Sequence, residues 1–229
     1  ALIDVLNHRQ ALSFVQETWN RALIQRGTDA ESYCARAMNH LSRKEWNRQR
    51  RRLSEQGKLE SRTLQPHENP EPWIEQFLAL EASGWKGDVG TALTVEAESR
   101  QFFRAIATAA GARGQLQMLG LWFNDQPIAL KCNFLSGGGA YAFKIAFDEQ
   151  YAKWSPGVQL ELDNIAAMHQ RDDIHWMDSC AVPNHPMINR LWKERRTIET
   201  RVIAMSRIVG NGIVGAWPMY RSLKQMLRG

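Results

Sequence analysis

The sequence has no hydrophobic run that approaches the roughly 18–20 residues needed to span a membrane. Its first residues, Ala1–Asp4, have neither the basic start nor the apolar core of a secretory signal. An initiator methionine is also missing, so we expect a fragment or a processed chain. Hydrophobic residues make up 44% and charged residues 23% of the 229 positions, a balance typical of soluble globular proteins. The sequence therefore predicts a cytoplasmic protein without a membrane span.

Cysteine is scarce, odd in number and widely spaced, with Cys34, Cys132 and Cys180 as its only occurrences. We expect reduced thiols in the core of a protein from a reducing compartment. No two cysteines have the spacing of zinc ligands. Metal-ligand spacing is also missing among the histidines, which include His8, His40, His67, His169 and His175. We therefore expect no metal cofactor.

Three motifs of common enzyme classes are absent as well. The chain contains no G-x-S-x-G nucleophile turn, no P-loop and no G-x-G-x-x-G dinucleotide signature. Any active site must therefore be sought without the help of a classical nucleophile or nucleotide motif.

Positive charge is in excess and unevenly distributed. The net charge is +5 with a pI near 9.3, and six of the ten residues in 43–52 are basic. Such a cluster favours an anionic partner, which can be a nucleotide phosphate, RNA or an acidic lipid surface. The alternative is a helix face that is merely solvated.

Hydrophobic spacing and capping residues predict the helices. The first forty residues are predicted to be helical because apolar residues recur at helical spacing at Leu12, Val15, Trp19, Leu23 and Ile24. A second helix is predicted from Ser42, which forms a capping-box pattern with Glu45, to Gly57. After a loop at 85–91, a helix over 95–112 is expected to bury Phe102, Phe103 and Ile106. Other helices are predicted over 72–84 and 186–193, from Gly157, and from Tyr220 in the tail.

Strands are predicted at 58–65, 115–123, 127–135, 139–147, 174–178 and 196–204. The three central ones are consecutive and are joined by the turn residues Asn124-Asp125 and Gly137-Gly138, which indicates an antiparallel meander. A meander followed by alternating helices and strands predicts an α/β fold with a mixed sheet and helices on both faces.

The turn Ser155-Pro156-Gly157 lies where the last meander strand gives way to a helix. The first N–H groups of that helix, at Gly157, Val158 and Gln159, are expected to be free, and with the helix dipole they suit a pyrophosphate. Glycine at 157 would let a phosphate approach closely. The alternative is an ordinary strand–turn–helix junction.

Strand register suggests a second feature, between Lys131 and Lys144. If Gly137-Gly138 is a two-residue hairpin loop, these lysines lie directly opposite each other above Ala129, Ala142 and Ala146. Like charges opposed in this way are destabilising unless an anion lies between them. The pattern predicts a shallow cleft for an anion or carboxylate; the alternatives are a slipped register or lysines that extend to solvent.

A third feature is the segment 178–186 between a short strand and a helix, a place where α/β folds commonly hold functional groups. Asp178 and His185 are candidates for a base and its orienting partner. Each can instead be a simple helix or turn cap.

Together these segments resemble the GNAT acyltransferase superfamily, and within it the branch named after a cellulose-biosynthesis protein (CelD-like), which is related to the FemABX peptidyltransferases. The resemblance covers about 41–204. It rests on the basic helix Leu41–Leu53 and on Phe143–Glu149, which leads to Ser155-Pro156-Gly157-Val158.

This resemblance implies a GNAT fold in which the loop and helix start after the meander bind acetyl-CoA or another acyl-CoA. The donor-binding positions would be Ser155, Gly157, Val158, Gln159 and Asn184. The family's loop usually has an Arg or Gln and two glycines, whereas this loop has one glycine. Where the family has a tyrosine general acid this chain has Trp192, which has no acidic proton to give. The candidates for proton transfer are then Asp178, His185 and Lys144.

The implied function is that of a bacterial acyltransferase acting on a small amine or hydroxyl acceptor, in polysaccharide or cell-envelope precursor metabolism. The alternatives are a FemABX-like transferase that uses aminoacyl-tRNA, and a GNAT-fold binding module without catalysis. The implied division is a helical extension over 1–40, a GNAT domain over 41–205 and a tail over 206–229.

Overall fold

The computed structural model describes residues 2–83, 97–206 and 208–226. The predicted loop at 85–91 and the predicted helix start at Val95 lie outside these residues. The elements, in chain order, are α1 (Leu2–His8), β1 (Ser13–Gln25), α2 (Ala30–Ala37), α3 (His40–Ser54), β2 (Leu59–Thr63), α4 (Glu71–Ser83), α5 (Ala97–Ala112), β3 (Leu116–Phe123), β4 (Gln126–Ser136), β5 (Gly139–Phe147), a 3-10 helix (Glu149–Trp154), α6 (Pro156–His169), β6 (Trp176–Asp178), α7 (Pro186–Leu191), β7 (Glu194–Ile203) and α8 (Val209–Met226).

The strands form one mixed sheet in the order β2-β3-β4-β5-β6-β1-β7. Neighbours pair antiparallel from β2 to β5 and between β6 and β1, whereas β5 and β6 are parallel. The chain divides into two compact units, residues 21–195 and residues 1–20 with 196–229. The larger unit holds the meander and helices α2–α7. In the smaller unit the Phe14 ring stacks on Trp217 at 6.3 Å between centroids.

The predicted meander is confirmed, including both of its turns. Asn124 and Asp125 have φ of 49° and 61°, and Gly137 and Gly138 have φ of 58° and 73°. Positive φ at both central residues is the geometry of the two-residue turns that match the twist of a hairpin. Ser136 pairs with Gly139 as the two-residue loop requires.

The predicted pairing of Lys131 with Lys144 is wrong because β5 contains a bulge. The expected register holds from Ser136 to Asn133, which pairs with Ala142, and then shifts so that Cys132 pairs with Lys144 and Lys131 with Ile145. Phe143 is the extra residue of β5. A bulge adds one residue to one strand, so it moves every later side chain by one pairing position.

The shift sends the two lysines to opposite faces of the sheet, and each meets a buried carboxylate. Lys131 Nζ lies 2.8 Å from Glu161 Oε2 of α6, and both side chains are buried. Lys144 forms an ion pair with Glu81 of α4. Helices therefore cover both faces of the sheet, as predicted, and the predicted anion cleft between the lysines does not form.

The predicted helix over 12–24 is also wrong, since residues 13–25 form strand β1. Val15, Trp19 and Leu23 are spaced by four, which places residues on one face of a helix but equally on one face of a strand. The segment is rich in aromatic and β-branched residues, which favours the strand. Leu23–Gln25 complete the sheet by pairing with β6.

The basic helix α3 is confirmed, with a different N-cap from the one predicted. Asn39 Oδ1 accepts the N–H of Leu41 at 2.8 Å, and Ser42 lies inside the first turn. We expect Asn39→Ala to lower the free energy of unfolding by about 1 kcal/mol. The matched change Ser42→Ala should cost less than about 0.5 kcal/mol. Denaturant unfolding of the two variants measures this difference, and equal losses would contradict the assigned cap.

Three details of side-chain placement and tail structure differ from expectation. Phe103 is buried but its neighbour Phe102 is 63% exposed. Burial raises the pKa of the Cys132 thiol to about 12, whereas Cys180 is exposed and so is not a core thiol. The tail helix α8 begins at Val209 and runs through the glycines before Tyr220. Nowhere in 2–83, 97–206 and 208–226 does a helix have both the length and the apolar character to cross a bilayer.

Candidate active site

The start of α6 is built by a sharp backbone reversal at Ser155. Residues Glu149–Trp154 form the 3-10 helix, whose last cap bond runs from Ser155 N–H to Ala152 O. Ser155 then adopts left-handed backbone angles (φ 51°, ψ 51°), and Pro156 begins α6. Such angles are costly for a residue other than glycine and often mark functional sites. Proline suits the first helical position because its φ is already helical and that N–H would have no partner.

The first turn of α6 leaves two N–H donors available. Gln159 N–H bonds to Ser155 O at 3.0 Å, so the prediction of a free N–H at Gln159 is wrong. Pro156 has no N–H, and the Ser155 side chain makes no cap bond. Within the described residues, the N–H groups of Gly157 and Val158 have no acceptor. An α-helix start with free N–H groups favours a bound anion.

These donors adjoin a cavity of about 350 Å³. Its lining comes from α3, the end of β5, the 3-10 helix, the start of α6 and α7: Trp46, Phe147, Ala152, Ser155, Pro156, Gly157, Val158, Pro186, Met187, Arg190 and Leu191. A Cβ on Gly157 would approach Phe147 Cδ1 to 3.4 Å and Met187 Sδ to 3.8 Å, so it would enter this space. Three of the predicted donor residues, Ser155, Gly157 and Val158, therefore share one cavity.

Among the lining residues that the sequence did not predict, Trp46 and Arg190 contact each other. The guanidinium of Arg190 lies over the Trp46 ring, 5.7 Å from its centroid. Trp46 is buried, and its backbone oxygen accepts the side-chain amide of Gln159 at 2.8 Å. The sequence signal was a single aromatic residue in a very basic helix, which indicates a buried contact but not its partner.

Strands β5 and β6 separate beyond Tyr141, and the end of β5 lines the cavity at Phe147. β5 and β6 pair over three residues only, Gly139–Tyr141 with Trp176–Asp178. β5 then continues to Phe147, so beyond Tyr141 its β6-side edge has no strand partner among the described residues. An unpaired strand edge presents backbone N–H and C=O groups that can bind a ligand.

Asp178 lies away from the cavity lining and is held by its neighbours. It is fully buried, its Oδ2 accepts a hydrogen bond from Arg21 Nη2 at 3.0 Å, and Arg21 Nε lies 2.7 Å from Oδ1. Oδ1 also accepts the N–H of Cys180 at 2.9 Å. Both carboxylate oxygens therefore have donors, one charged and one from the backbone, that hold the side chain in place. Its role as a base stays a prediction.

His185 and Asn184 lie at the start of α7, whose residues form one wall of the cavity. His185 is the N-cap: its Nδ1 accepts the N–H of Ile188 at 3.3 Å. Asn184 is exposed just before it. Neither belongs to the lining, but His185 directly precedes the lining residue Pro186. Their predicted catalytic and donor-binding roles stay predictions, as does that of Lys144 on the α4 face of the sheet.

Trp192, which stands where the resemblance has a tyrosine, is fully buried and ends α7. Its Nε1–H donates to Glu161 Oε1 at 3.0 Å. The same carboxylate accepts Asn164 Nδ2 at 2.8 Å and pairs with Lys131. Trp192 thus connects α7 to α6 on either side of the cavity.

A second recess, of about 680 Å³, runs along α3 and is lined by His40, Arg43, Lys44, Asn47, Arg48 and Arg51. Not all of the basic cluster is free, since Arg48 pairs with Glu45 and Arg50 with Asp163. The recess remains strongly basic and open to anions.

The sequence model of the acetyltransferase (GNAT) domain matches residues 41–185, more than half of the chain. The chain belongs to this family. The GNAT domain carries acyl transfer as its chemistry, with acyl-CoA as the family's donor. In the part of the chain that the structure describes, no group of histidine, cysteine and acidic residues is arranged to hold a metal. A search of curated proteins finds no match.

Solved structures agree with the GNAT fold. FemX has a TM-score of 0.60 at 6% identity, with 88% of this chain and 67% of that chain covered. A conserved protein of unknown function from Bacteroides thetaiotaomicron VPI-5482 has a TM-score of 0.55 at 9% identity, with 88% and 65% covered. At such identities the likeness shows the fold alone. This GNAT chain thus spans about two thirds of the length of both.

Proposed function

We propose that the chain transfers an acyl group from acyl-CoA to an amine or hydroxyl acceptor, with the pyrophosphate of the donor bound at the start of α6. The observation that carries the proposal is the pair of N–H groups at Gly157 and Val158 next to the cavity, in a domain of the GNAT family. The apolar walls at Phe147, Met187 and Leu191 suit the uncharged arm of the donor.

The reaction would proceed by direct attack. The nitrogen or oxygen of the acceptor bonds to the thioester carbonyl carbon, the carbon–sulfur bond breaks, and the proton lost by the acceptor is matched by one gained by the thiolate. Backbone N–H groups on the open edge of β5 are suited to stabilise the oxyanion. The fold would contribute mainly by holding donor and acceptor in attack geometry.

His185 is the proposed proton acceptor because it directly precedes the lining residue Pro186. We expect His185→Asn to lower kcat about 100-fold with little change in acyl-CoA affinity. Asparagine can replace the capping bond to Ile188 N–H, so the helix start should survive. Steady-state kinetics with calorimetric binding measures both quantities, and an unchanged kcat would assign His185 to capping alone.

The acceptor class follows only from the CelD-like resemblance, which favours a precursor of a polysaccharide or of the cell envelope. N- and O-acyl transfer remain equally compatible with the cavity. A screen of amino sugars and hydroxyl-bearing envelope precursors, with acyl-CoA as the donor, would identify the acceptor.

A second candidate is a transferase that takes its acyl group from aminoacyl-tRNA. The basic recess along α3 favours it, because phosphate contacts by Lys and Arg dominate RNA affinity. A third is a GNAT-fold binding module without catalysis, which the tryptophan at position 192 favours.

Thermal-shift and calorimetric titrations with CoA, acetyl-CoA and longer acyl-CoAs separate these candidates. Saturable stabilisation by a CoA thioester, about 2.7 kcal/mol at 100 times Kd, supports the first. No stabilisation by any of them, together with salt-sensitive tRNA binding, supports the second. If no CoA thioester stabilises the protein and tRNA does not bind, the result supports the binding module.

A further inference from the structure

One charged side chain is found among the described residues that line the cavity beside α6. Of the described residues that line it, Arg190 alone carries a formal charge, and the others are apolar, small or neutral. Arg190 is exposed at the cavity, and none of the ion pairs among the described residues involves it. A cation without a carboxylate partner among the described residues, in a ligand-sized cavity, is a candidate to bind an anionic ligand group.

A chain of contacts links Arg190 to α6. Its guanidinium lies over the Trp46 ring, 5.7 Å from the ring centroid, and the Trp46 backbone oxygen accepts the Gln159 amide. Both Trp46 and Gln159 are buried, with 6% and 1% of their surface exposed. A cation–π contact satisfies none of the guanidinium N–H donors, so they can still donate to a ligand. The Arg190 cation therefore lies in the same cavity as the helix start and forms no salt bridge with the described residues.

The helix start alone supplies little charge to a pyrophosphate. Its dipole is equivalent to about half an elementary charge, and only Gly157 and Val158 offer N–H groups, because Pro156 has none. A pyrophosphate diester carries two negative charges. A nearby alternative cation, Lys153, has its ammonium 5.1 Å above the Trp154 ring and does not line the cavity. Four cations of α3, Arg43, Lys44, Arg48 and Arg51, line a separate recess, and Arg50 pairs with Asp163.

We infer that Arg190, held by Trp46, is the residue that gives this site its preference for phosphate-bearing acyl donors. The inference rests on the proposed donor site and names the side chain that completes it from α7. Arg190 binds a phosphate of the donor opposite the N–H groups of α6, so it acts on the affinity for the donor and not on the transfer step.

The test is a binding cycle with two ligands and four proteins. CoA and phosphate-free pantetheine are titrated calorimetrically against wild type, Arg190→Met, Arg190→Lys and the control Arg171→Met. Arg171 is an arginine just beyond the other end of α6, paired with Asp173, and its loss changes net charge equally. We expect Arg190→Met to weaken CoA about tenfold and pantetheine less than about twofold. Arg190→Lys should weaken CoA about threefold or less, and Arg171→Met should change neither ligand.

The outcomes distinguish the inference from the donor site itself. If the wild type binds CoA and Arg190→Met binds it with equal affinity, the role of Arg190 is overturned, whereas the proposed donor site is still supported. Equal losses for CoA and pantetheine, or equal losses in the Met and Lys variants, overturn it too, since the effect would then be packing and not charge. Wild type that fails to bind CoA overturns the proposed donor and the inference together.

Discussion

Replacement of Glu161 by leucine is expected to destabilise the larger unit by about 3–5 kcal/mol, because it leaves the buried Lys131 without its counter-charge. Lys131 and Glu161 have 2% and 0% of their surface exposed, and Nζ and Oε2 are 2.8 Å apart. The same change removes the acceptor of Trp192 Nε1 and Asn164 Nδ2. Guanidinium unfolding at constant protein concentration measures the loss.

The double variant Lys131→Met with Glu161→Leu is the control. Removal of both charges takes away the unpaired cation, so we expect at least about 2 kcal/mol of the loss to return. A single variant that costs less than about 1 kcal/mol would contradict a buried ion pair at this position. A double variant less stable than the single one would place the cost in packing instead.

Replacement of Gly157 by leucine is expected to weaken CoA binding at least about 100-fold while the fold keeps its stability to within about 1 kcal/mol. A side chain at this position would project toward Phe147 and Met187, at 3.4 and 3.8 Å from the Cβ, and so occupy the cavity. No backbone atom is among these neighbours. A branched side chain there also screens the N–H groups of residues 157 and 158 from a phosphate.

Gly212→Leu provides the matched control, since Gly212 lies in helix α8 and a Cβ there would meet nothing within 4 Å. Calorimetry with CoA measures affinity, and thermal unfolding measures stability. If Gly157→Leu binds CoA as tightly as the wild type does, the donor does not bind in this cavity. A large loss of stability in the same variant would mean that the helix start cannot accommodate a leucine side chain.

Much of the fold follows from local patterns, and the exceptions have identifiable physical causes. The meander is predictable because turn residues with positive φ, Asn124-Asp125 and Gly137-Gly138, separate alternating segments. Strand β1 is not predictable from the sequence, because a spacing of four between Val15, Trp19 and Leu23 fits both a helix and a strand. The bulge at Phe143 is not predictable either. The alternation of side chains along β5 is intact on both sides of Phe143, and only the pairing with β4 reveals the extra residue.

The candidate site likewise has parts that the sequence predicts and parts that it does not. The turn at Ser155 and the free N–H groups of Gly157 and Val158 are local, so the sequence predicts them. Trp46 and Arg190 come from helices far apart in the chain, and no local pattern indicates that they meet at the cavity. The partners of the two lysines depend on register and on helix packing, and the sequence therefore suggested a cleft where the protein has two separate ion pairs.

The most direct test of the donor site is the amide NMR spectrum of the ¹⁵N-labelled protein during titration with CoA. If the N–H groups of Gly157 and Val158 bind the pyrophosphate, both amide protons shift downfield as they gain an acceptor. The amide of Gln159, already bonded to Ser155 O, should shift much less. Saturation by CoA with the largest shifts elsewhere, for example along the basic recess of α3, and none at Gly157 and Val158 would contradict a phosphate seat at the start of α6.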